Sequence, residues 1–100
     1  MLNYTVTRTE TPTSPERLQE ILANPGFGTY FTDHMVTIDW TEDKGWHDAQ
    51  VRPYAPFSMD PASTVFHYGQ AIFEGIKAYR QPDGSIATFR PDQKAQRLQD

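Results

Sequence analysis

The sequence of 100 residues predicts an α+β fold, an antiparallel sheet with flanking helices. Three observations support this prediction. A segment with helical periodicity lies near the start, and a second one opens at residue 91. Segments rich in β-branched and aromatic residues, which favour strands, lie between the two helices. Short groups of Pro, Asp and Gly separate these segments, as is typical of turns.

The first helix is predicted within the segment SPERLQEILANPG, residues 14–26. Ser14 is a suitable N-cap, and Pro15 suits the first helical position. One apolar stripe follows the spacing i, i+3, i+4: Leu18, Ile21 and Leu22. The Asn-Pro-Gly sequence ends the helix. Residues 1–13, which precede it, are polar and rich in Thr, and we expect them to be disordered or loosely ordered.

The middle of the sequence predicts two pairs of strands. Residues 35–40 and the returning segment from residue 46 form the first pair, and Pro53 places the second strand at an edge or interrupts it. FEGIKAYR (73–80) and SIATFR (85–90) form a hairpin around QPDG, which has the composition of a turn. Pro91 then begins a helix.

The stretch HYGQAIFEGIKAY, residues 67–79, is either an ordinary aromatic core strand or one wall of a pocket. If it continues as a strand, the period of two places one set of side chains on the same face: Phe73, Gly75, Lys77 and Tyr79. A glycine inside a strand often marks the close approach of a ligand or of another backbone. Spacing alone leaves both interpretations open.

Composition excludes several classes of protein. The formal net charge is −4, without the clustered Lys and Arg of a nucleic-acid-binding protein. The absence of Cys excludes disulfides and zinc–thiolate sites. No apolar run reaches the roughly 20 residues of a membrane span, and the first residues lack a signal-peptide core. We therefore predict a cytoplasmic protein that binds neither membrane nor nucleic acid.

Isolated residues give little evidence of catalysis. The sequence contains neither a G-x-S-x-G motif nor a P-loop, and its carboxylates are too scattered to define an acid–base pair. The three histidines lack metal-ligand spacing, so we predict no metal site. Lys77 has two interpretations: a buried lysine that loses its proton and acts as a nucleophile, or a strand lysine whose stem packs while its ammonium group reaches water.

Three longer pieces resemble the start of branched-chain amino-acid aminotransferases: FGTYFTDHM, GWHDAQVRPYAPFSMDPASTVFHYGQAIFEGIKAYR and FRPDQKAQRL. These enzymes form part of the fold-type IV class that depends on pyridoxal phosphate. The resemblance covers about residues 25–99. HYGQAIFEG discriminates best, because D-amino-acid transaminases and aminodeoxychorismate lyases of the same fold carry a different sequence there. The resemblance implies that residues 14–100 are the front part of the small N-terminal domain.

The resemblance also implies site residues. Arg97 matches the arginine that binds the cofactor phosphate, and an apolar substrate pocket is matched by Phe27, Tyr68 and Phe73. The residue matching Tyr68 reaches the site of the partner subunit in the family, which implies a homodimer. The sequence departs from the family pattern at Lys94, where Asn is expected, and at Asp100, where a basic residue is expected.

The lysine that anchors the cofactor lies downstream in the family, in a catalytic C-terminal domain absent from this chain. None of Lys44, Lys77 and Lys94 aligns with it, so no catalytic residue is assigned and the chain alone is predicted to be inactive. The whole enzyme is expected to transfer the amino group of Leu, Ile or Val to 2-oxoglutarate in amino-acid biosynthesis. The alternatives are another fold-type IV enzyme, such as a D-amino-acid transaminase, and a non-catalytic binding domain with the same partial fold.

Overall fold

The structure is a computed structural model that describes residues 2–99; the sequence departure at Asp100 lies outside them. The chain divides into two compact units, Met1–Phe57 and Ser58–Asp100. The described elements of the first unit are β1 (Tyr4–Val6), α1 (Pro15–Ala23), β2 (His34–Thr41) and β3 (Gly45–Pro53). Those of the second are α2 (Thr64–His67), β4 (Ala78–Arg80), β5 (Ile86–Thr88) and α3 (Pro91–Gln99).

The first unit contains a three-stranded sheet in the order β1-β3-β2. β2 and β3 form the predicted antiparallel pair, with Val36 opposite Val51 and Trp40 opposite Trp46. β3 ends at Pro53, as the missing proline N–H requires. The register shifts between Thr37 and Asp39, because a β-bulge interrupts the ladder there. The prediction of this strand pair is confirmed.

β1 differs from the sequence-based expectation for residues 1–13. Instead of a loose segment, Tyr4–Val6 pairs in parallel with β3, with Tyr4 opposite Ala49 and Val6 opposite Val51. The backbone N–H of Thr7 extends the pairing by donating to the carbonyl of Val51 at 2.9 Å. This strand owes its stability to a partner far away in sequence, which local composition does not reveal.

α1 confirms the predicted helix. The Ser14 hydroxyl accepts a hydrogen bond from the Arg17 backbone N–H at 3.2 Å, which satisfies one of the free donors of the first turn. Pro15 occupies the first turn, where its missing N–H has no cost. Pro25 and Gly26 follow the C-cap Asn24, so the helix ends where the sequence predicted.

Replacing Ser14 with alanine should destabilise α1 by about 0.5–2 kcal/mol, because the Arg17 N–H loses its acceptor. Amide hydrogen exchange of the first turn measures the effect. Ser14→Asp is the matched control, since aspartate also caps helices and should preserve protection. Equal loss of protection in both variants would contradict the capping role.

The segment before α1 is attached to the start of β2. The Thr13 hydroxyl donates to one carboxylate oxygen of Asp33 at 2.6 Å, and the Thr13 backbone N–H donates to the other at 3.0 Å. The Thr9 N–H donates to Nε2 of His34 at 3.0 Å, which requires the ring to be unprotonated at that nitrogen. The two hydrogen bonds from Thr13 lower the pKa of Asp33 below its usual value.

Acidification should release Thr13 from Asp33. Since the pKa of Asp33 is lowered in the folded chain, its contribution to stability is complete above about pH 4 and is lost as the pH falls through the lowered value. Exchange of the Thr13 amide with solvent, followed between pH 6 and pH 2, measures this release. The Asp33→Asn variant is the control, because its amide cannot titrate; the same pH profile in both proteins would contradict the assignment.

The second unit contains the predicted hairpin, but its strands are shorter than expected. β4 and β5 pair antiparallel, with Tyr79 opposite Ala87. Asp83 accepts from the backbone N–H and the hydroxyl of Ser85 at 2.9 and 2.6 Å, and Gly84 has φ 88°, a value that favours glycine. β5 ends at Thr88, and Arg90 takes a positive φ of 49° just before Pro91 begins α3, so the strand cannot continue.

Residues 73–77 do not form a strand, which corrects the prediction for 73–80. β5, the partner of β4, is only three residues long, so it offers no ladder to the residues before Ala78. Gly75 is also a poor strand residue. The strand face predicted for Phe73, Gly75, Lys77 and Tyr79 therefore does not form, because only Tyr79 of these residues lies in a strand.

Little of the described chain is buried. Ala49, in the central strand β3, is 3% exposed, and among residues 2–99 it is the one hydrophobic residue that is buried. The large apolar side chains remain at least partly accessible in both units, including Leu22, Trp46, Phe57, Phe73 and Phe89. Exposed apolar area of this extent is typical of surfaces that bind another protein segment, a ligand or a membrane. In residues 2–99, no helix combines the length and apolar character needed to cross a bilayer.

Candidate phosphate-binding site

The site begins with Arg97 on α3. The helix is amphipathic and starts at Pro91, and Lys94 and Arg97 lie three residues apart on neighbouring turns. Both line a polar surface groove together with Gln93 and Gln96. α3 therefore brings two cations and two amides to one surface, which is a suitable environment for an anion.

Arg97 forms a two-point ion pair with Glu74. Nε of Arg97 donates to Oε1 of Glu74 at 2.5 Å, and Nη2 donates to Oε2 at 2.6 Å. The Glu74 side chain is 17% exposed, whereas that of Arg97 is 68% exposed. Glu74 is thus the more enclosed partner, and it joins the segment before β4 to α3.

The ion pair lowers the pKa of Glu74 and raises that of Arg97. For both groups the largest cause is the side-chain hydrogen bond between them, since it favours the charged form of each partner. The positive charge of Lys94 further lowers the pKa of Glu74. Lys94, where the resemblance predicts Asn, therefore adds a second cation near this carboxylate.

The remaining donors of Arg97 fit a phosphate. A guanidinium carries five N–H donors, and Glu74 uses two of them, leaving three. Within residues 2–99 these three donors make no hydrogen bond to protein. They include both hydrogens of Nη1, on the side of the guanidinium away from Glu74. A dianionic phosphate can accept two of them in parallel.

Tyr68 and Phe73, both predicted to line the substrate pocket, project into solvent in this unit. Phe73 is 95% exposed and Tyr68 is 83% exposed. The stretch 67–79 is therefore not a core strand of the second unit, which removes one of its two interpretations. Phe73 is adjacent in sequence to Glu74, so the ion pair fixes the backbone beside it to α3.

Phe27, the third predicted pocket residue, lies in the first unit. It is fully exposed between Gly26 and Gly28, whose φ angles of 64° and 68° belong to the left-handed region. Side chains other than glycine rarely adopt these values, so the loop conformation depends on both glycines. It presents the aromatic ring at the surface of the first unit.

A second cleft of about 440 Å³ in the second unit is mainly apolar and shares Lys94 with the polar groove; its other lining residues are Gly75, Ile76, Lys77, Tyr79 and Phe89. Lys77 is exposed, so it is not the buried lysine of the first interpretation. Its position corresponds to the second interpretation of this residue, in which the stem packs and the ammonium group reaches water.

The sequence did not identify Glu74 as a site residue. A strand over 73–80 placed Glu74 on the face opposite Phe73 and gave it no partner. Its partner lies 23 residues away on α3, and no spacing rule links these positions. The only available signal was a single carboxylate within an apolar and glycine-containing stretch.

No protein-family model matches the chain. It is 65% identical over 88 residues to a probable branched-chain-amino-acid aminotransferase from Streptomyces coelicolor, an alignment that covers 88% of this chain and 24% of that protein. It is 58% identical over 98 residues to a branched-chain-amino-acid aminotransferase from Mycolicibacterium smegmatis, covering 98% and 27%. For branched-chain-amino-acid transaminase 1 of Bacillus subtilis, identity is 59% over 73 residues, covering 73% and 20%. The chain thus spans about a quarter of the length of the curated relatives it matches.

Proposed function

By sequence the chain belongs to the branched-chain-amino-acid aminotransferase family, and from this premise we propose that it forms the front part of the small N-terminal domain of a fold-type IV enzyme. Residues 14–100 belong to that domain, and a further catalytic domain completes the protein. The wide apolar exposure of both units supports this proposal, because a second domain and a partner subunit would cover such surfaces.

The proposed reaction of the whole protein is transfer of the amino group of Leu, Ile or Val to 2-oxoglutarate. Pyridoxal phosphate, when bound, supplies the electron sink for this chemistry. In this chain Arg97 holds the cofactor phosphate through the donors that Glu74 leaves unused. Phe27, Tyr68 and Phe73 supply apolar surface for the branched side chain, for which each buried methylene is worth about 0.8 kcal/mol. The enzyme acts as a cytoplasmic homodimer in amino-acid biosynthesis.

The observation that carries the proposal is sequence identity. Over nearly its whole length, the chain is 52–65% identical to proteins named branched-chain-amino-acid aminotransferases. The same names favour branched-chain substrates over the D-amino acids of a related transaminase. The arrangement of Arg97 adds a chemically suitable phosphate ligand. A non-catalytic binding domain has no comparable support.

Expression of the complete reading frame tests the proposal. The purified protein should bind pyridoxal phosphate and transaminate leucine with 2-oxoglutarate, while the chain of residues 1–100 should be inactive. D-alanine is the discriminating substrate. Turnover of D-alanine but not leucine would replace the proposal with a D-amino-acid transaminase, and absence of cofactor binding would reject both enzymes.

A further inference from the structure

We propose that Glu74 is a positioning residue that orients the Arg97 guanidinium for the cofactor phosphate. This inference rests on the proposed function, in which Arg97 is the phosphate ligand. It adds a residue that touches neither cofactor nor substrate and acts through another side chain.

The first argument is the direction from which Glu74 approaches. Its carboxylate oxygens accept hydrogen bonds from Nε and Nη2 of Arg97, at 2.5 and 2.6 Å. This contact fixes the plane of the group and leaves Nη1 and one hydrogen of Nη2 available. Glu74 and a phosphate can therefore bind the same guanidinium along different edges, so that the carboxylate need not leave when the phosphate arrives.

The second argument is the unequal enclosure of the two partners. The Arg97 side chain is mostly exposed and has several rotatable bonds, so without a partner it would sample many rotamers. Glu74 is largely enclosed and precedes Gly75, whose backbone amide helps to keep the carboxylate charged. The enclosed anion therefore restricts the exposed cation, and phosphate binding has less rotamer freedom to remove.

The opposing effect is repulsion between the Glu74 carboxylate and the phosphate. Two charged groups of the second unit, Arg97 and Lys94, favour the charged form of Glu74 and so lower its pKa. Both are cations, and Lys94 also lines the groove beside Arg97. These two positive charges offset the carboxylate, so the orienting effect should outweigh the repulsion.

The test compares equilibrium binding of pyridoxal 5'-phosphate and of pyridoxal, which lacks the phosphate, to the complete enzyme. Glu74→Gln should reduce the preference for the phosphorylated form about tenfold, with affinity for pyridoxal little changed. The ³¹P resonance of the bound cofactor should shift as well. Glu74→Asp, whose shorter side chain cannot maintain both contacts, should also reduce the preference, and it provides the test if the glutamine variant does not fold.

Glu20→Gln is the matched control, because Glu20 also pairs with an arginine, Arg17, at 2.9 Å, and that pair has no proposed role in binding. It should leave the preference unchanged. In the double variant Glu74→Gln/Arg97→Ala the loss should equal that of Arg97→Ala alone, since Glu74 acts only through Arg97. Independent, additive losses would overturn the positioning role.

An unchanged or increased preference for the phosphorylated cofactor in Glu74→Gln, with Arg97→Ala still losing it, would overturn the inference and leave the proposed function intact. If Arg97→Ala also retains the preference, the phosphate role of Arg97 itself is wrong. If the complete protein binds neither form, the proposed function fails.

Discussion

Replacing Arg97 with alanine in the complete aminotransferase should weaken binding of pyridoxal phosphate by about 10- to 100-fold. One hydrogen bond to a charged group is worth about 1.5–3 kcal/mol, which corresponds to roughly this loss, so the range is the minimum expected when the phosphate accepts two of the donors that Glu74 leaves unused. The preference among leucine, isoleucine and valine should change little, because in the proposed site the guanidinium would contact the phosphate and not the substrate side chain. Equilibrium dialysis with absorbance detection of the cofactor measures the affinity.

Two variants control this experiment. Arg97→Lys should lose part of the affinity, since an ammonium group is a point charge without the two parallel donors. Arg17→Ala removes another exposed arginine that forms an ion pair, and it should retain the wild-type affinity. Unchanged cofactor binding by Arg97→Ala would show that the phosphate lies elsewhere.

Replacing Phe73 with alanine should lower kcat/KM for leucine by about 10- to 100-fold and that for glutamate much less. A phenylalanine wall contributes about 1–3 kcal/mol to an apolar side chain, whereas a carboxylate side chain gains little from it. Because Phe73 is exposed in this unit, the variant should leave the fold of the unit intact. Initial rates with the two amino donors give the ratio.

Phe89→Ala is a suitable comparison. Phe89 is another exposed ring of the second unit, but it lines the apolar cleft beside Tyr79, to which Phe73 does not contribute. Phe89→Ala should change kcat/KM for leucine and for glutamate by similar factors. Phe73→Leu should recover most of the leucine activity, because it keeps much of the apolar volume. Equal losses for leucine and glutamate in Phe73→Ala would contradict an apolar wall.

Elements with local signals were predicted well. The cap at Ser14 and the Pro-Gly sequence after Asn24 bound α1 as expected, because these residues act on neighbouring backbone groups. The turn around Gly84 is likewise determined by adjacent residues, 81–85. Pro53 ends β3 for the same reason, a missing donor in its own backbone.

Features that depend on distant partners were not predicted. β1 forms because β3 offers a free edge, and the Glu74–Arg97 pair forms because α3 returns to the segment before β4. The strand expected over residues 73–77 fails for the converse reason, since no partner strand reaches it. The phosphate role of Arg97 came from resemblance to a family and remains a prediction, as do the pocket roles of Phe27, Tyr68 and Phe73.

The position of β1 has a consequence for the order of assembly. β2 and β3 are joined by a short turn, so their pairing costs little chain entropy. β1 pairs with residues of β3 that lie about 45 positions later in the sequence, so its pairing closes a much longer loop. The hairpin should therefore nucleate the sheet, and β1 should dock afterwards. A bulky fusion partner placed ahead of Tyr4 would hinder this late docking. One edge of β3 would then stay unpaired, which favours self-association through that edge.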